Sequence, residues 1–343
     1  MKDKYKAAVI GCGRIGSIFD QDSKRKIIST HCGAYSNHNL TELIAVSDIN
    51  KDMLDNCKQF WQIENGYLSY EEMLNEESID ILSICTYNDS HLPIVKQAVK
   101  NNVKVILCEK PIADNLEDAE EIISLCKKNN VKLSVNHFRR NDDLFKEIKK
   151  DIFENYFGEV QFANFYYTRG IANSGSHLFD LIRYLFGEVK SINAYKSIKD
   201  YGEDPTISAI IEFNNSITCN IIGLDGNNYR VFDLEIFGSK KVIKINSAKN
   251  IELFKSRNSL RSSEFNELFA INHNYLHLIN SQYFLNTIDN LIESIEGKKD
   301  INCSGLDGLK SLELILATNV SSEENTKLEV PFNLPLSRKI ISN

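Results

Sequence analysis

The sequence lacks the cysteine patterns of a zinc site or of a disulfide framework. Its eight cysteines are scattered along 343 residues, with no Cys-x-x-Cys pair and no zinc-ligand spacing. Several fall in stretches that we predict to be buried strands, where a thiol packs as a small apolar side chain. We therefore expect reduced core cysteines and no metal site, as in a cytosolic protein.

Strong net charge and long apolar segments are lacking too. The 40 Lys and Arg residues against 47 Asp and Glu residues give a net charge of −7. A mildly acidic chain of this kind is not expected to bind nucleic acid or an anionic membrane surface. No apolar run approaches the length of a membrane span, and no signal peptide precedes the first predicted strand. We therefore expect a cytoplasmic protein.

A glycine-rich turn near the start of the chain carries the first chemical signal. The apolar run Ala7–Ile10 is typical of a buried strand, and Gly-x-Gly-x-x-Gly follows it. In such a turn Gly11 permits the bend, Gly13 lets the backbone approach a pyrophosphate, and Gly16 lets the next helix pack closely. The free N–H groups and the positive end of that helix would face the phosphates. We predict a dinucleotide site, with a ligand-free turn as the alternative. Its residues are Gly11, Gly13, Arg14, Ile15 and Gly16.

A carboxylate indicates which dinucleotide is bound. Thr41–Val46 is predicted as the second strand, and Asp48 follows it. An acid at this point binds the adenosine ribose diol and repels a 2′-phosphate, so Asp48 favours NAD over NADP. It lies 32 residues after Gly16, against the usual ~20, and the polar stretch Asp20–Thr30 accounts for the difference. The alternative is a simple cap on the helix after Asn50.

Alternating strands and amphipathic helices continue to about residue 136. Further strands are predicted at 79–85, 103–108 and 131–135, with helices between them. This alternation predicts an α/β domain over residues 1–136, a Rossmann doubly wound parallel sheet.

From residue 159 the pattern changes to strand-like runs with hairpin-length gaps. We predict strands at 160–168, 189–196, 207–213, 217–223, 232–237 and 242–245. Helices are predicted at 142–152, 177–186, 275–296 and 307–320. Residues 137–343 are therefore expected to form an α+β domain with a large open, mainly antiparallel sheet. The late helix near 305–322 is a candidate for packing back on the first domain.

Two polar motifs lie where ligands are expected. Glu-Lys-Pro at 109–111 follows the strand at 103–108, and the carboxyl end of a strand is where an open α/β sheet places ligands. Lys110 could act there on a hydroxyl or carbonyl, or be a solvated charge. In the second domain His177 and Asp180 are three residues apart, so both can project from the first turn of a helix. A core or capping histidine is the alternative for His177.

Together the glycine turn, Glu-Lys-Pro and Gly-x-His-x-x-Asp at 175–180 resemble the Gfo/Idh/MocA oxidoreductases, the glucose–fructose oxidoreductase and inositol dehydrogenase family. The similarity covers nearly the whole chain and extends to the late helix at 305–312. It implies that Lys110 holds and polarises the reacting oxygen and that His177 accepts or donates the proton. It also implies that Asn88 and His91 lie along the nicotinamide side of the cofactor, and that the Lys110–Pro111 peptide is cis.

One position departs from the family pattern. Many members carry an aspartate four residues before the histidine, whereas this chain has Asn173. An amide can hydrogen-bond to a sugar hydroxyl but cannot take its proton. His177 is then left as the base, and Asp180 is more easily explained as a structural or orienting residue. His31, His38, His273 and His277 show no partner pattern and receive no role.

The resemblance implies an NAD-dependent dehydrogenase that transfers hydride between a sugar-ring secondary alcohol and nicotinamide. Asn173 and nearby arginines, which suit phosphate geometry, favour a sugar or nucleotide-sugar substrate. A free-sugar or cyclitol dehydrogenase, a keto-sugar reductase and a non-catalytic NAD-binding regulatory protein remain alternatives. The family also implies a homodimer or homotetramer formed through the open sheet.

The candidate site residues fall into three groups. The catalytic residues are Lys110 and His177. The candidate substrate residues are Asn173, Asp180, Arg139, Arg169 and Tyr167. The cofactor residues, besides those of the glycine turn, are Asp48, Thr86, Asn88, His91, Glu109, Lys110 and Pro111.

Overall fold

The structure is a computed structural model that describes residues 4–196, 203–247 and 250–340. The chain divides into two compact units. The first contains Met1–Asp142 and Gln282–Leu312, and the second contains Asp143–Ser281 and Glu313–Asn343. The first unit thus holds the whole predicted range 1–136 together with a stretch from late in the chain.

The first unit is built on a parallel sheet. Within the described residues its order is β3-β2-β1-β4-β5-β6, and every neighbouring pair is parallel. The strands are β1 (Tyr5–Ile10), β2 (Thr41–Ser47), β3 (Asn65–Tyr67), β4 (Ile81–Ile84), β5 (Val105–Cys108) and β6 (Lys132–Val135). The order reverses between β1 and β4, which is the point where such sheets place a ligand. The predicted doubly wound parallel sheet is confirmed.

Helices connect these strands, and four of the five described here begin at side-chain caps. They are α1 (His31–Asn37), α2 (Lys51–Trp61), α3 (Tyr70–Glu76), α4 (His91–Lys100) and α5 (Leu116–Lys128). Thr30, Asn50, Ser69 and Asn115 each accept a backbone N–H from the first turn that follows them. β4 and β5 are buried along their whole length, as expected for parallel strands covered on both faces.

The helix predicted directly after Gly16 is interrupted, which corrects the sequence-based expectation. Residues 14–17 form only a single turn, a short 3-10 helix follows at Ile18–Gln21, and the α-helix begins at His31 after its cap Thr30. His31 N then donates to Ile15 O at 3.1 Å, and Cys32 N donates to Gly16 O at 2.9 Å. The helical hydrogen bonds therefore resume across the gap. We call residues 17–30 the excursion, and it accounts for the long spacing between Gly16 and Asp48.

The second unit contains a mixed sheet of nine strands in the described part of the chain, in the order β14-β13-β12-β11-β7-β10-β9-β8-β15. Only the β7–β10 pair is parallel among these neighbours, so the prediction of a mainly antiparallel sheet is confirmed. The strands are β7 (Val160–Tyr167), β8 (Val189–Tyr195), β9 (Ser208–Phe213), β10 (Thr218–Gly223), β11 (Phe232–Gly238), β12 (Lys241–Ile245), β13 (Ile251–Asn258), β14 (Asn266–Ile271) and β15 (Leu328–Glu329).

The predicted helix at 275–296 is wrong as a single element. Tyr275–Leu278 forms a short 3-10 helix, and the α-helix begins only at Tyr283. Between them Ser281 Oγ accepts the backbone N–H of Asp143 at 2.9 Å, which holds the connection in a non-helical path. The remaining helices are α6 (Asp143–Phe153), α7 (Ser176–Phe186), α8 (Tyr283–Ile295) and α9 (Gly305–Glu324).

The two faces of the second unit's sheet differ in burial. On β7 the side chains of Ala163, Phe165 and Tyr167 are buried, whereas those between them are only half-buried. A row of polar side chains crosses the half-buried face. Asn220 Nδ2 donates to Asn164 Oδ1 at 3.4 Å, and Asn164 Nδ2 donates to Glu235 Oε2 at 3.3 Å. One face therefore belongs to the core and the other is open.

Most of the cysteines pack inside the structure. All eight cysteines are free, and seven of them are buried. Among residues 4–196, 203–247 and 250–340, no helix combines the length and apolarity needed to cross a membrane. In the same ranges no cluster of three or more His, Cys, Asp or Glu side chains could hold a metal ion.

Candidate functional site

The glycine turn after β1 has the geometry that its sequence predicts. Gly11 has a φ of +95°, and a Cβ on it would lie 2.7 Å from Cys85 O. A Cβ on Gly16 would lie 2.0 Å from Gly11 O, so close packing there also requires glycine. At Gly13 a Cβ would meet no protein atom within 4 Å. The backbone at Gly13 therefore faces open space that a ligand could enter.

Asp48 ties the end of β2 to this turn. Its Oδ2 accepts the Cys12 N–H at 2.7 Å, and its Oδ1 accepts the Asn50 N–H at 2.8 Å. The cap of α2 is Asn50, whose side chain accepts the N–H groups of Asp52 and Met53. The capping role considered for Asp48 is therefore filled by a neighbour, and the Asp48 carboxylate stands beside the glycine turn.

Glu109 anchors the Glu-Lys-Pro motif in the interior of the first unit. The residue is 7% exposed. Its Oε1 lies 2.8 Å from His31 Nε2 and accepts the Asn136 amide N–H at 2.6 Å. The Lys110 N–H donates to its Oε2 at 3.3 Å, and the Lys110–Pro111 peptide is cis. The carboxylate therefore fixes the backbone at the start of the motif.

Two more side chains extend this polar network. His31 Nδ1 lies 2.8 Å from Ser83 Oγ, which is 2.7 Å from the Tyr35 hydroxyl. Burial acts to raise the pKa of Glu109, but the hydrogen bond and charge of His31, with smaller effects of Asn136 and Lys110, lower it overall. The motif thus presents Lys110 next to a buried carboxylate that is ionised at neutral pH.

Two predicted cofactor residues after β4, Asn88 and His91, form hydrogen bonds to other groups of the protein. His91 is buried, and its ring nitrogens lie 3.0 Å from Ile112 O and 3.2 Å from Thr86 O. Burial lowers the pKa of His91. Asn88 Nδ2 donates to Asp114 Oδ1. His91 thus joins the β4 rim to the loop after Pro111, a structural role that its position in the sequence did not reveal.

In the second unit a π-helical turn, Gly170–Gly175, leads into α7. Asp204 holds this turn, because its carboxylate accepts the Ala172 N–H at 2.7 Å and the Asn173 N–H at 2.9 Å. Gly170 has a φ of +73°, and a Cβ on it would lie 2.1 Å from Asp204 Oδ2. The segment before His177 therefore has a fixed shape, and π-helical turns of this kind are frequent at functional sites.

The predicted substrate residues differ in accessibility. Asn173 and Arg169 are exposed, and Arg169 adopts a left-handed backbone with a φ of 73°. Tyr167 is 0% exposed, and its hydroxyl donates to Ile207 O and accepts the Ile207 N–H, both at 2.8 Å. Asp180 is likewise 0% exposed. Burial leaves these two side chains little surface for a ligand, and their part in substrate binding stays a prediction.

The two arginines after β6, Arg139 and Arg140, differ in their contacts. Arg140 NH2 lies 2.9 Å from Asp307 Oδ1, and its NH1 donates to Asn302 O at 3.2 Å, so Arg140 anchors the start of α9. Arg139 is half-buried, with its guanidinium carbon 4.7 Å from the centre of the Phe138 ring. Arg139 therefore stays a candidate for contact with a ligand.

Comparison with known families decides the assignment. Residues 5–137 match the oxidoreductase family model of an NAD-binding Rossmann fold, and residues 171–330 match the model of the same family's C-terminal alpha/beta domain. The chain belongs to the Gfo/Idh/MocA oxidoreductase family. This membership confirms the predicted resemblance and identifies the chain as an oxidoreductase with an NAD-binding Rossmann domain.

Several relatives of this oxidoreductase match nearly its full length. Myo-inositol 2-dehydrogenase of Thermotoga maritima is 25% identical, and the match covers 94% of this chain and 97% of the relative. D-apiose dehydrogenase of Paraburkholderia graminis is 23% identical over 95% of this chain and 90% of the relative. The WlbA dehydrogenase of Bordetella pertussis, solved with NADH and UDP-GlcNAcA, has a TM-score of 0.78 at 20% identity, covering 97% and 99% of the two chains. The family thus includes dehydrogenases of sugars and cyclitols.

Sequence reasoning missed two residues that hold the motifs in place, His31 and Asp204. Each acts on a motif residue that is distant in sequence, 78 positions away for His31 and Glu109 and 31 for Asp204 and Asn173. Neither lies in a recognisable local pattern. A weak signal for His31 was its position in the first helix beyond the glycine turn.

The oxidoreductase should lose part of its stability in acid through Glu109. A carboxyl whose pKa is lowered by folding contributes stability above its unfolded pKa of ~4.3, and the contribution disappears as the pH falls through the folded value. Glu109→Gln removes it, so the difference in free energy of unfolding between wild type and variant should shrink from pH 6 to pH 3.5. Urea titrations across this range measure it. Glu120→Gln, an exposed change on α5, should show no such trend, and a constant difference for Glu109→Gln would contradict the assignment.

Asp204→Ala should destabilise the turn before His177. It leaves the N–H groups of Ala172 and Asn173 without their acceptor, which we expect to cost about 1–3 kcal/mol. Denaturant titration measures this loss. Asp225→Ala is the matched control, since Asp225 also accepts a backbone N–H but lies in an exposed loop. Equal losses for the two variants would show that Asp204 is not a special anchor.

Proposed function

We propose that this oxidoreductase uses NAD to oxidise, reversibly, a ring secondary alcohol of a sugar or nucleotide-sugar. The observation that supports this most strongly is the Glu-Lys-Pro motif at the carboxyl end of β5. There Lys110 follows a buried, hydrogen-bonded carboxylate in a chain of the Gfo/Idh/MocA family. A cation fixed at the ligand edge of a parallel sheet suits a reaction in which negative charge develops on oxygen.

Two side chains carry the proposed chemistry. His177 takes the proton from the substrate hydroxyl, and Lys110 stabilises the negative charge that develops on the oxygen. The carbon–hydrogen bond of the alcohol breaks with its electron pair as hydride, and the carbonyl forms. When bound, nicotinamide supplies the hydride acceptor at its C4. In the reverse direction His177 returns the proton.

Asp48 is the basis for proposing NAD rather than NADP. Its carboxylate stands beside the glycine turn through its bond to Cys12 N, where a ribose diol could donate to its remaining lone pairs. A 2′-phosphate at the same place would meet a negative charge. The open space at Gly13 is consistent with the approach of a dinucleotide.

The sugar or nucleotide-sugar substrate is supported by the accessible candidates. Asn173 offers an amide to sugar hydroxyls, and Arg139 and Arg169 offer guanidinium groups to an anionic part of a substrate. The named activities of the relatives, on inositol and apiose, keep a cyclitol or free sugar as the second candidate. A keto-sugar reductase uses the same residues in the reverse direction.

A non-catalytic NAD-binding regulator is the candidate from another class. Retention of both Lys110 and His177 speaks against it. Mixing the protein with NAD and a panel of UDP-sugars, free hexoses and inositols, and recording NADH absorbance, separates these candidates. Failure of every compound, with NADH still bound, would favour the regulator.

Lys110→Ala should lower turnover by roughly 10²-fold or more, because one preorganised charge at the developing oxyanion is lost. NADH affinity, measured by fluorescence titration, should stay nearly unchanged. Lys100→Ala, at the far end of α4, removes an exposed lysine of the same unit and should leave both quantities unaltered. Unchanged turnover in Lys110→Ala would remove Lys110 from the mechanism.

We also propose self-association, as a homodimer or homotetramer, through the open face of the second unit's sheet. This face mixes the polar row described above with apolar side chains such as Tyr166 and Ile210, which is 39% exposed. Mixed faces of this kind resemble protein interfaces more than solvated strands.

Ile210→Arg should shift the protein towards the monomer, because it places a charge within the proposed interface. Light scattering coupled to gel filtration measures the mass. The control is Phe153→Arg, which adds the same charge at a 90% exposed site on α6. A monomeric wild type, or an unchanged mass for Ile210→Arg, would contradict the proposed interface.

A further inference from the structure

The excursion at residues 17–30 is firmly attached at both ends. Asp20 Oδ1 accepts the Ser29 N–H at 2.7 Å, and Asp20 Oδ2 accepts the Thr30 hydroxyl at 2.6 Å. At the other end the indole N–H of Trp61 donates to Ser17 Oγ at 2.9 Å. A segment held in this way keeps the positions of the side chains that it presents.

Three of those side chains are basic, in a chain with a net charge of −7, and they outnumber the two acids of the excursion, Asp20 and Asp22. Lys24, Arg25 and Lys26 are consecutive and exposed. The guanidinium carbon of Arg25 lies 4.0 Å from the centre of the Phe19 ring, and that of Arg14 lies 5.8 Å from the same ring. Two cations thus converge on one aromatic ring, and neither forms an ion pair with any acid among the described residues. Such an arrangement gains stability when an anion neutralises it.

The place of the excursion indicates which anion this is. It follows directly on the glycine turn, where the backbone at Gly13 faces open space that a phosphate could enter. Its other side reaches α8, because Ile28 and Tyr283 pack against the same core cluster, which includes Phe284. Burial raises the pKa of Tyr283, while Ser29 and the charges of Arg139 and Arg25 oppose the rise. The Phe138 ring stacks on Tyr283 with centroids 4.5 Å apart. Positive charge therefore extends from the glycine turn to the segment after β6, all within the first unit.

We infer that Arg25, with Arg14 and the flanking lysines, binds a phosphate group of a ligand that sits beside the glycine turn. Guanidinium groups bind phosphate oxygens through two parallel hydrogen bonds, and a neighbouring lysine adds a point charge. The ligand class is a phosphate-bearing small molecule. Its phosphate belongs either to a nucleotide-linked or phosphorylated sugar, which rests on the proposed function, or to the dinucleotide itself.

Direct binding tests this without relying on turnover. Isothermal titration first gives the Kd of NADH, and a second titration gives the Kd of UDP-glucose with NADH saturating. For Arg25→Gln we expect the Kd of UDP-glucose to rise roughly tenfold or more, the effect of losing a charged hydrogen-bonding partner. Lys100→Gln removes one positive charge at the end of α4, which leads to the amino end of β5, and should change neither Kd.

The two arms separate the sources of the phosphate. If Arg25→Gln raises only the Kd of UDP-glucose, the phosphate belongs to the substrate. If it raises only the Kd of NADH, the phosphate belongs to the cofactor. Trp61 is the single tryptophan of the chain, so its emission reports whether the excursion is still folded in each variant. Unchanged affinities in Arg25→Gln with unchanged Trp61 emission would overturn the inference. Absence of binding of both probes to the wild type would overturn it as well. Loss of the proposed function would instead appear as intact binding without hydride transfer.

Discussion

The buried carboxylate of Glu109 is the constraint on which the first unit's site depends. A charge in the interior is tolerated only when its lone pairs are satisfied, and here the partners come from separate parts of the sheet. His31 lies on α1 and Asn136 follows β6, while Ser83 on β4 holds the other side of the His31 ring. The position of Lys110 is therefore set by the assembled sheet rather than by its own loop.

Those parts of the fold and the site that depend on neighbouring residues alone could be predicted from the sequence. The glycine turn could be predicted because Gly11 and Gly16 stand where the backbone itself leaves no room for a Cβ. The parallel sheet followed from strands that are apolar throughout. Asp48 and Lys110 could be singled out because each directly follows a strand, and the carboxyl ends of parallel strands share one edge.

Other features depend on contacts that exist only after folding. Nothing near His31 in sequence indicates its bond to Glu109, and nothing near Asp204 indicates that it holds the turn before His177. Tyr167 is a candidate substrate residue by sequence, yet strand alternation turns its ring into the core. β13 and β14 were missed because neither keeps one apolar face along its length. β13 starts with buried Ile251 and Leu253 but ends in polar residues, and on β14 Leu268 is exposed while Glu267 is half-buried.

The resumption of helical hydrogen bonds from Ile15 and Gly16 to His31 and Cys32 has a consequence for how this fold can vary. The chain between Gly16 and His31 can therefore hold an inserted segment, because the hydrogen bonds across the gap keep α1 in place against the glycine turn. A segment inserted there changes the rim of the ligand site while β1, α1 and the partner of Glu109 keep their places. The residues of the excursion can then change without a change in the fold of the first unit.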